Sequence, residues 1–268
     1  MLLRTKFNTK FTLFVGNWGD EETCSQFSLF SLLRGHRFSI EILVTESEYL
    51  MAVNGRHFGT YLHRIPYKKV IGIEVKGDVK DIEIEQKVLE TYPQILPMEI
   101  PIHNDDKSSV MDNNNSSIFK VPYYGKLAAS LTNGKTLHII GKVKLLPHSI
   151  TINLQQTNYI FPHPTIPLHF NPRFGNQGGH NVICRNTWTN GKWLKEERTD
   201  SQSDFMPGKI FHLKFECQHE SYQIHLNDKF FAEYMFRADP DVVDTINVYG
   251  DIFLKSVYIK NKIYDTNL

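Results

Sequence analysis

Short segments in which apolar and polar residues alternate follow one another along most of the chain. With a period of two, every second side chain lies on the same face of an extended strand. Asn54-Gly55, Asn133-Gly134 and Asn227-Asp228 separate such segments, and these residue pairs suit tight hairpin turns. The pattern predicts an all-β protein built from antiparallel β-sandwiches. The predicted strands are RFSIEILV, EYLMAVN, KVIGIEV, KTLHIIGKV, SITINL, IFHLKF, YQIHLN and TINVYG.

The sequence repeats itself at a spacing of 173 residues. YLMAVNGRHFGTYLHR, starting at Tyr49, aligns with YQIHLNDKFFAEYMFR, starting at Tyr222. The same spacing relates Gly35 to Gly208 and Gly77 to Gly250. A register kept over this length predicts two copies of one type of domain.

The two copies differ in how much sequence precedes the repeat. The segment between them, about 86–120, is rich in proline and polar residues, so we predict a linker that buries no core. We therefore divide the chain into a first domain over 1–85, a linker over 86–120 and a second domain over 121–268.

Aligning Trp18 with Trp193 places the counterpart of His169 before Met1. The first copy is thus expected to lack roughly 55 residues of a complete domain.

Composition excludes several classes of partner. The formal net charge is +1, so no strong electrostatic field attracts nucleic acid, and nucleic acid is not expected as a partner. No run approaches the roughly 20 apolar residues of a membrane span, and the run FTLFV is too short for a signal peptide. Three widely spaced cysteines, Cys24, Cys184 and Cys217, fit a reducing compartment. We expect no membrane insertion and synthesis in the cytoplasm.

A set of polar residues in the second copy points to a binding site. In HFNPRF, the side chains of His169, Asn171 and Arg173 share one face of a strand because they alternate. Further along lie Asn186 and then WLKEER, which supplies Trp193, Glu196 and Arg198. A flat indole can support the C–H face of a sugar ring, while guanidinium and amide groups read hydroxyl directions. These seven residues are the predicted carbohydrate site.

The joint pattern H-x-N-P-R, x-N and W-x-x-E-x-R, between VPYYGKL and YGDI, closely resembles a galectin carbohydrate-recognition domain over about 121–261. The resemblance implies a jelly-roll-like sandwich of two sheets that binds β-galactosides, including lactose and N-acetyllactosamine-like glycans, without a metal or cofactor. It also implies that His169, Asn171 and Arg173 read the axial 4-hydroxyl, and Asn186 with Glu196 the 6-hydroxyl. Trp193 would stack under galactose, and Arg198 with Glu196 would hold the next sugar. Cys184 departs from the more frequent valine.

The first copy resembles a galectin domain over about 1–85 but departs strongly from the pattern. Trp18 and Glu21 are kept, Thr23 replaces the arginine, and Asn8 is the only other remnant of the site. We predict that this half does not bind galactosides appreciably. A sandwich lacking strands exposes apolar sheet surface. The second domain, another copy of the chain or a further N-terminal segment could cover it. The resemblance also suggests export without a signal peptide.

Two other functional classes compete with a lectin. A glycosidase needs two carboxylates about 5–10 Å apart across the scissile bond. Glu196 and Glu197 are adjacent, so they face opposite sides of a strand and do not form such a pair; no enzymatic activity is expected. Alternatively, the galectin fold serves as a protein interaction module, which suits the first half. A metal site is not expected, because His163, His169 and His180 lack ligand spacing.

Overall fold

The computed structural model divides the chain into two compact units. The first comprises Met1–Pro97 with Ile160–Pro162, and the second comprises Met98–Tyr159 with His163–Leu268. The domain boundaries expected at 85 and 120 stay a prediction. No helix in the described part of the chain is long and apolar enough to cross a membrane. The structure describes residues 2–7, 11–16, 23–25, 35–46, 48–63, 65–104, 119–147, 149–175, 180–200 and 205–261.

The first unit contains two antiparallel three-stranded sheets, with strand orders β1-β2-β3 and β4-β5-β6. A short 3-10 helix, Tyr67–Lys69, follows the second sheet. The strands are β1 (Leu2–Phe7), β2 (Phe11–Gly16), β3 (Thr23–Ser25), β4 (Ile40–Val44), β5 (Glu48–Val53) and β6 (Arg56–Leu62).

The second unit is a sandwich of an eight-stranded and a five-stranded sheet. Its strands are β7 (Glu99–Pro101), β8 (Tyr123–Lys126), β9 (Lys135–Val143), β10 (Ile150–Gln155), β11 (Ile166–Arg173), β12 (Val182–Thr189), β13 (Lys192–Trp193), β14 (Glu197–Asp200), β15 (Ile210–Cys217), β16 (Ser221–Leu226), β17 (Lys229–Met235), β18 (Thr245–Gly250) and β19 (Ile252–Asn261). The larger sheet has the order β13-β12-β11-β10-β18-β8-β7, with β14 also paired to β12, and the smaller has the order β17-β16-β15-β9-β19. A second 3-10 helix, Pro240–Val242, precedes β18.

The core of the second unit lies between these sheets and is built from the alternation seen in the sequence. Along β15 the residues alternate between buried apolar and partly exposed polar side chains. Phe170 of the larger sheet meets Phe215 of the smaller one edge to face, with ring centroids 5.5 Å apart. Both rings are fully buried, and each such side chain stabilises the fold by about 1.5–3 kcal/mol. The predicted all-β sandwich architecture is therefore confirmed.

The internal repeat is also present in three dimensions. The β5-β6 and β16-β17 hairpins share one register, with Tyr49 opposite Tyr61 in the first and Tyr222 opposite Tyr234 in the second. Each hairpin has its register shift two residues after the first tyrosine. Asn54 and Asn227 both adopt positive φ, at 50° and 51°. Each donates its backbone N–H to a carbonyl in or beside the strand before its hairpin, and its Oδ1 accepts from the N–H of that same residue. The two copies therefore share their local geometry as well as their sequence.

One face of β4 is exposed in the first unit, although its counterpart in the second unit is buried. Phe38, Ile40, Ile42 and Val44 each keep 37–48% of their surface exposed. The residues 173 positions later, Phe211, Leu213, Phe215 and Cys217, are 0–2% exposed. The apolar face of β4 is therefore exposed where the matching face of the second unit forms core.

The opposite face of the β4-β5-β6 sheet has changed from polar to apolar. Leu50 and Ala52 stand where the second copy has Gln223 and His225. They are buried in a small core with Tyr92, against which Leu43, Leu89, Ile160 and Phe161 pack. The Tyr92 hydroxyl lies 3.1 Å from Nδ1 of His57, and burial lowers the pKa of His57 to about 3.

Two details of the sequence prediction are wrong. The segment KVIGIEV, residues 69–75, forms no strand, and its apolar side chains are exposed. The linker expected over 86–120 does bury core residues. Tyr92 is buried in the first unit, while Ile102 enters the core of the second, next to β7 in the larger sheet. Residues 105–118 of that segment lie outside the described part of the chain.

Candidate functional site

The predicted site residues lie together on the outward face of the larger sheet. His169, Asn171 and Arg173 alternate along β11, and cross-strand pairing places His169 beside Asn186 of β12. Asn171 is paired with Cys184, which is paired in turn with Arg198 of β14. Directly paired residues share a face of the sheet. The structure therefore brings the predicted histidine, asparagines and arginines together on three neighbouring strands.

Asn153 fixes the orientation of the histidine ring. Asn153 lies opposite His169 on β10, and its Oδ1 is 2.7 Å from Nδ1 of the imidazole. With this oxygen as acceptor, Nδ1–H donates and Nε2 is left as an acceptor. Burial, assisted by the charge of Arg173 and opposed by that of Glu196, lowers the pKa of His169 to about 4. The ring is therefore neutral at physiological pH.

Asn171 and Arg173 are held by hydrogen bonds that leave some of their donors and acceptors free for a ligand. Both protons of the Asn171 amide are used, by Ile150 O at 2.7 Å and by Thr151 Oγ1 at 3.2 Å. Arg173 Nε donates to Asn171 Oδ1 at 2.7 Å. One lone pair of Asn171 Oδ1 remains, together with guanidinium protons of Arg173.

Glu196 links the two arginines of the site. Its Oε2 accepts from Arg173 Nη2 at 2.7 Å, and its Oε1 accepts from Arg198 Nε at 2.6 Å. Burial acts to raise the pKa of this carboxyl, but hydrogen bonds and charge from Arg198 and Arg173 outweigh it and hold the pKa below its usual value. Glu196 is therefore ionised and available as an acceptor. The adjacent Glu197 points away and binds Arg237.

Trp193 stands at the edge of this polar row. It lies on β13 after a hairpin turn at Asn190-Gly191, both at positive φ, and it pairs with Trp188. Its indole is 38% exposed, with its centroid 4.9 Å from that of the His169 ring. The structure thus places Trp193 in the short strand β13, after the turn, with its ring beside that of His169.

Asn186 contributes from the floor of the site. Its Nδ2 donates to Leu194 O at 2.9 Å, and its Oδ1 accepts from the Thr187 N–H at 2.8 Å. One amide proton is therefore left. The unused groups of the site include both acceptors, on His169, Asn171 and Glu196, and donors, on Asn186 and the arginines. A hydroxyl both donates and accepts, so a polyhydroxylated ring suits this arrangement.

Residues that the sequence analysis missed support the site from below. Asn153 and Thr151 orient His169 and Asn171, and their alternation along SITINL was the available signal. Cys184 lies beneath the site within hydrogen-bonding reach of Glu196, and burial raises the pKa of its thiol. A protonated thiol can donate to that carboxylate.

Some predictions fall on residues that the structure does not describe. Asn8, Trp18 and Glu21 lie outside the described residues, and for Thr23 the structure describes only the backbone of β3. Among described residues, no group of three or more His, Cys, Asp or Glu side chains could hold a metal ion.

A two-sheet sandwich with an exposed indole beside a row of fixed hydrogen-bonding groups has the chemistry of a carbohydrate-binding lectin domain. A family model described as galactoside-binding lectin matches residues 11–85 and 122–259. The chain belongs to this family, the galectins.

Its relatives include proteins that match most of the chain. Human galectin-4 is 30% identical over 257 residues, which cover 92% of this chain and 76% of galectin-4. The 32 kDa beta-galactoside-binding lectin of Haemonchus contortus is 26% identical over 245 residues, which cover 91% of this chain and 72% of that protein. The solved structure of sheep galectin-11 in complex with glycerol is 25% identical, with a TM-score of 0.47, and covers 53% of this chain and 98% of its own.

Proposed function

We propose that this chain is a metal-independent lectin whose second domain binds β-galactosides such as lactose and N-acetyllactosamine-like ends of glycoproteins and glycolipids. The observation that carries the proposal is the fixed row from His169 through Asn171 and Arg173 to Glu196, beside the exposed Trp193. The row needs no rearrangement to meet a sugar, so little binding energy is spent on ordering side chains.

Each group has a defined role in binding. The C–H face of galactose lies on the Trp193 indole. His169 Nε2 accepts from the axial 4-hydroxyl, to which Arg173 donates, and Asn186 with Glu196 binds the 6-hydroxyl. Arg198, fixed by Glu196, reaches the next sugar.

Calorimetric titration with lactose tests the proposal. We expect about one site per chain, with a binding free energy of about 4–5 kcal/mol for a dissociation constant near millimolar. Binding should persist in EDTA and disappear in Trp193→Ala. Two equal sites would overturn the assignment to one domain, and loss of binding in EDTA would overturn metal independence.

The carboxylates support a non-enzymatic role. Glu196 faces the sugar site, whereas Glu197 binds Arg237 on the other side of the strand. No pair of these two can flank a glycosidic bond. Hydrolysis of lactose by the wild-type chain, abolished in Glu196→Gln, would contradict this part of the proposal.

A second function, protein interaction through the first half, is favoured by the exposed apolar face of β4. Self-association through this face would also let a chain with one sugar site bridge two glycans. Sedimentation in excess lactose, compared between the wild-type chain and Ile42→Ser, measures it. A monomeric wild-type chain would exclude self-association.

The compartment is a further part of the proposal. Cys184 and Cys217 are buried free thiols, which supports synthesis in the reducing cytoplasm, followed by export without a signal peptide. Expression of the tagged chain in cultured cells, with assay of cytosol and medium, tests both steps.

A further inference from the structure

Arg237 holds residues 194–196, the turn between β13 and β14, which carries Glu196 and directly follows Trp193. Arg237 follows β17, and its Nη1 donates to the Lys195 carbonyl at 2.6 Å, while its Nη2 binds the Glu197 carboxylate. Lys195 and Glu197 flank Glu196 in sequence. One planar guanidinium therefore binds both neighbours of the carboxylate that links the site's arginines.

Arg237 is itself well fixed. Its guanidinium lies over the Tyr234 ring, 4.9 Å from the centroid. Tyr234 is fully buried, and its hydroxyl is 2.8 Å from Oγ1 of Thr187 on β12. A second arginine, Arg185, lies with its Nε 3.7 Å from the Glu197 carboxylate. The anchor for the turn is thus a packed, charged cluster that connects the two sheets.

Two successive carbonyls of the turn are held from opposite sides. Asn186, on the sugar face, donates to Leu194 O, and Arg237, on the other face, donates to Lys195 O. Between them the backbone from Trp193 to Glu196 has little freedom to rotate, because rotation would break one of the two bonds.

We infer that Arg237 is a positioning residue of the galactoside site, holding the turn so that Trp193 and Glu196 face the ligand. The inference rests on the proposed function. Arg237 does not touch the sugar and acts through the turn, so its removal should loosen the turn and weaken binding together.

The test compares Arg237→Gln and Arg237→Lys with the wild-type chain, in lactose titrations and in hydrogen exchange of the ligand-free protein. We expect Arg237→Gln to weaken lactose binding about tenfold and to speed amide exchange over residues 194–198. Arg237→Lys should recover part of the affinity, because an ammonium can bind Glu197 but lacks the planar fork that binds two acceptors. Lys214→Gln is the matched control, since it removes an ion pair with Asp228 on the outer face of the smaller sheet.

The outcomes separate this inference from the proposed function. Unchanged exchange at 194–198 in Arg237→Gln, or unchanged lactose affinity, would overturn the positioning role. Wild-type affinity in Arg237→Lys would overturn the fork argument, because an ammonium without the planar fork would then be sufficient. Failure of the wild-type chain to bind lactose would overturn the proposed function, whatever the exchange measurement gives. A melting temperature that falls far more in Arg237→Gln than in the control would point to a general structural role instead.

Discussion

Replacing Arg173 with alanine should remove lactose binding while the second domain stays folded. The Arg173 side chain is 42% exposed and donates to Asn171 Oδ1 and to Glu196. Exposed ion pairs contribute only about 0–1 kcal/mol to stability. A loss of about 1 kcal/mol lowers the melting temperature of a domain of this size by about 2–4 °C.

The effect on binding should be much larger than the effect on stability. Losing hydrogen bonds from a charged donor to a ligand costs about 1.5–3 kcal/mol, which is roughly 10- to 150-fold in the dissociation constant. In addition, Glu196 loses one of the two arginines that hold it. Starting from a dissociation constant near millimolar, binding would fall below calorimetric detection.

Calorimetry with lactose and thermal unfolding, measured on the same preparations, decide this prediction. Lys214→Ala serves as the control, because its ion pair with Asp228 lies on the other sheet. Lactose affinity within threefold of wild type in Arg173→Ala would refute the proposed reading of the axial hydroxyl. Unfolding of the variant would refute the claim that Arg173 contributes more to lactose binding than to the stability of the domain.

Three further predictions follow from individual contacts. The pKa of His169, about 4 against 6.5 for a free imidazole, keeps the ring neutral, so lactose affinity should be constant from pH 7.5 to about 5 and fall towards pH 4. The stability that this depressed pKa contributes to the fold is complete above pH 6.5 and is lost between pH 6.5 and about 4. A lactose affinity that falls by half near pH 6.5 would contradict the depressed pKa of His169. Asn153→Leu should weaken lactose binding several-fold in calorimetry by releasing the ring, and unchanged affinity would argue against the fixed tautomer. Gly250→Ala should lower the melting temperature more than the repeat-matched Gly77→Ala. Both glycines have positive φ, but only at Gly250 would a Cβ meet an atom within 4 Å, the Ser149 carbonyl oxygen at 2.4 Å; equal losses would refute this difference.

Local alternation allowed much of the site to be predicted. His169, Asn171 and Arg173 share a face because the strand period of two is a property of the backbone. The same rule failed at residues 69–75, where the alternation is present but no strand in the described part of the chain pairs with the segment. A strand needs hydrogen bonds to a partner, and the pattern within a segment does not show whether one exists.

Contacts between distant segments could not be predicted from composition or spacing. Tyr92 and Ile102 lie in a proline-rich stretch, yet each is buried in a hydrophobic core cluster. Arg237 reaches the sugar-binding turn from the other sheet, across 40 residues of sequence to Glu197. In the sequence, the repeat spacing of 173 residues aligns Arg237 with Arg64, and this match does not indicate what Arg237 contacts.

The sequence by itself determined the strand class, the two copies and the seven residues of the proposed sugar site, because backbone period, turn chemistry and side-chain type are local properties. The tertiary structure decided which groups keep free donors and acceptors, how Glu196 is held between two arginines, and which apolar face of the first unit stays exposed. These features depend on strand register and on packing between sheets, where burial and hydrogen-bond partners are set by residues far apart in the chain.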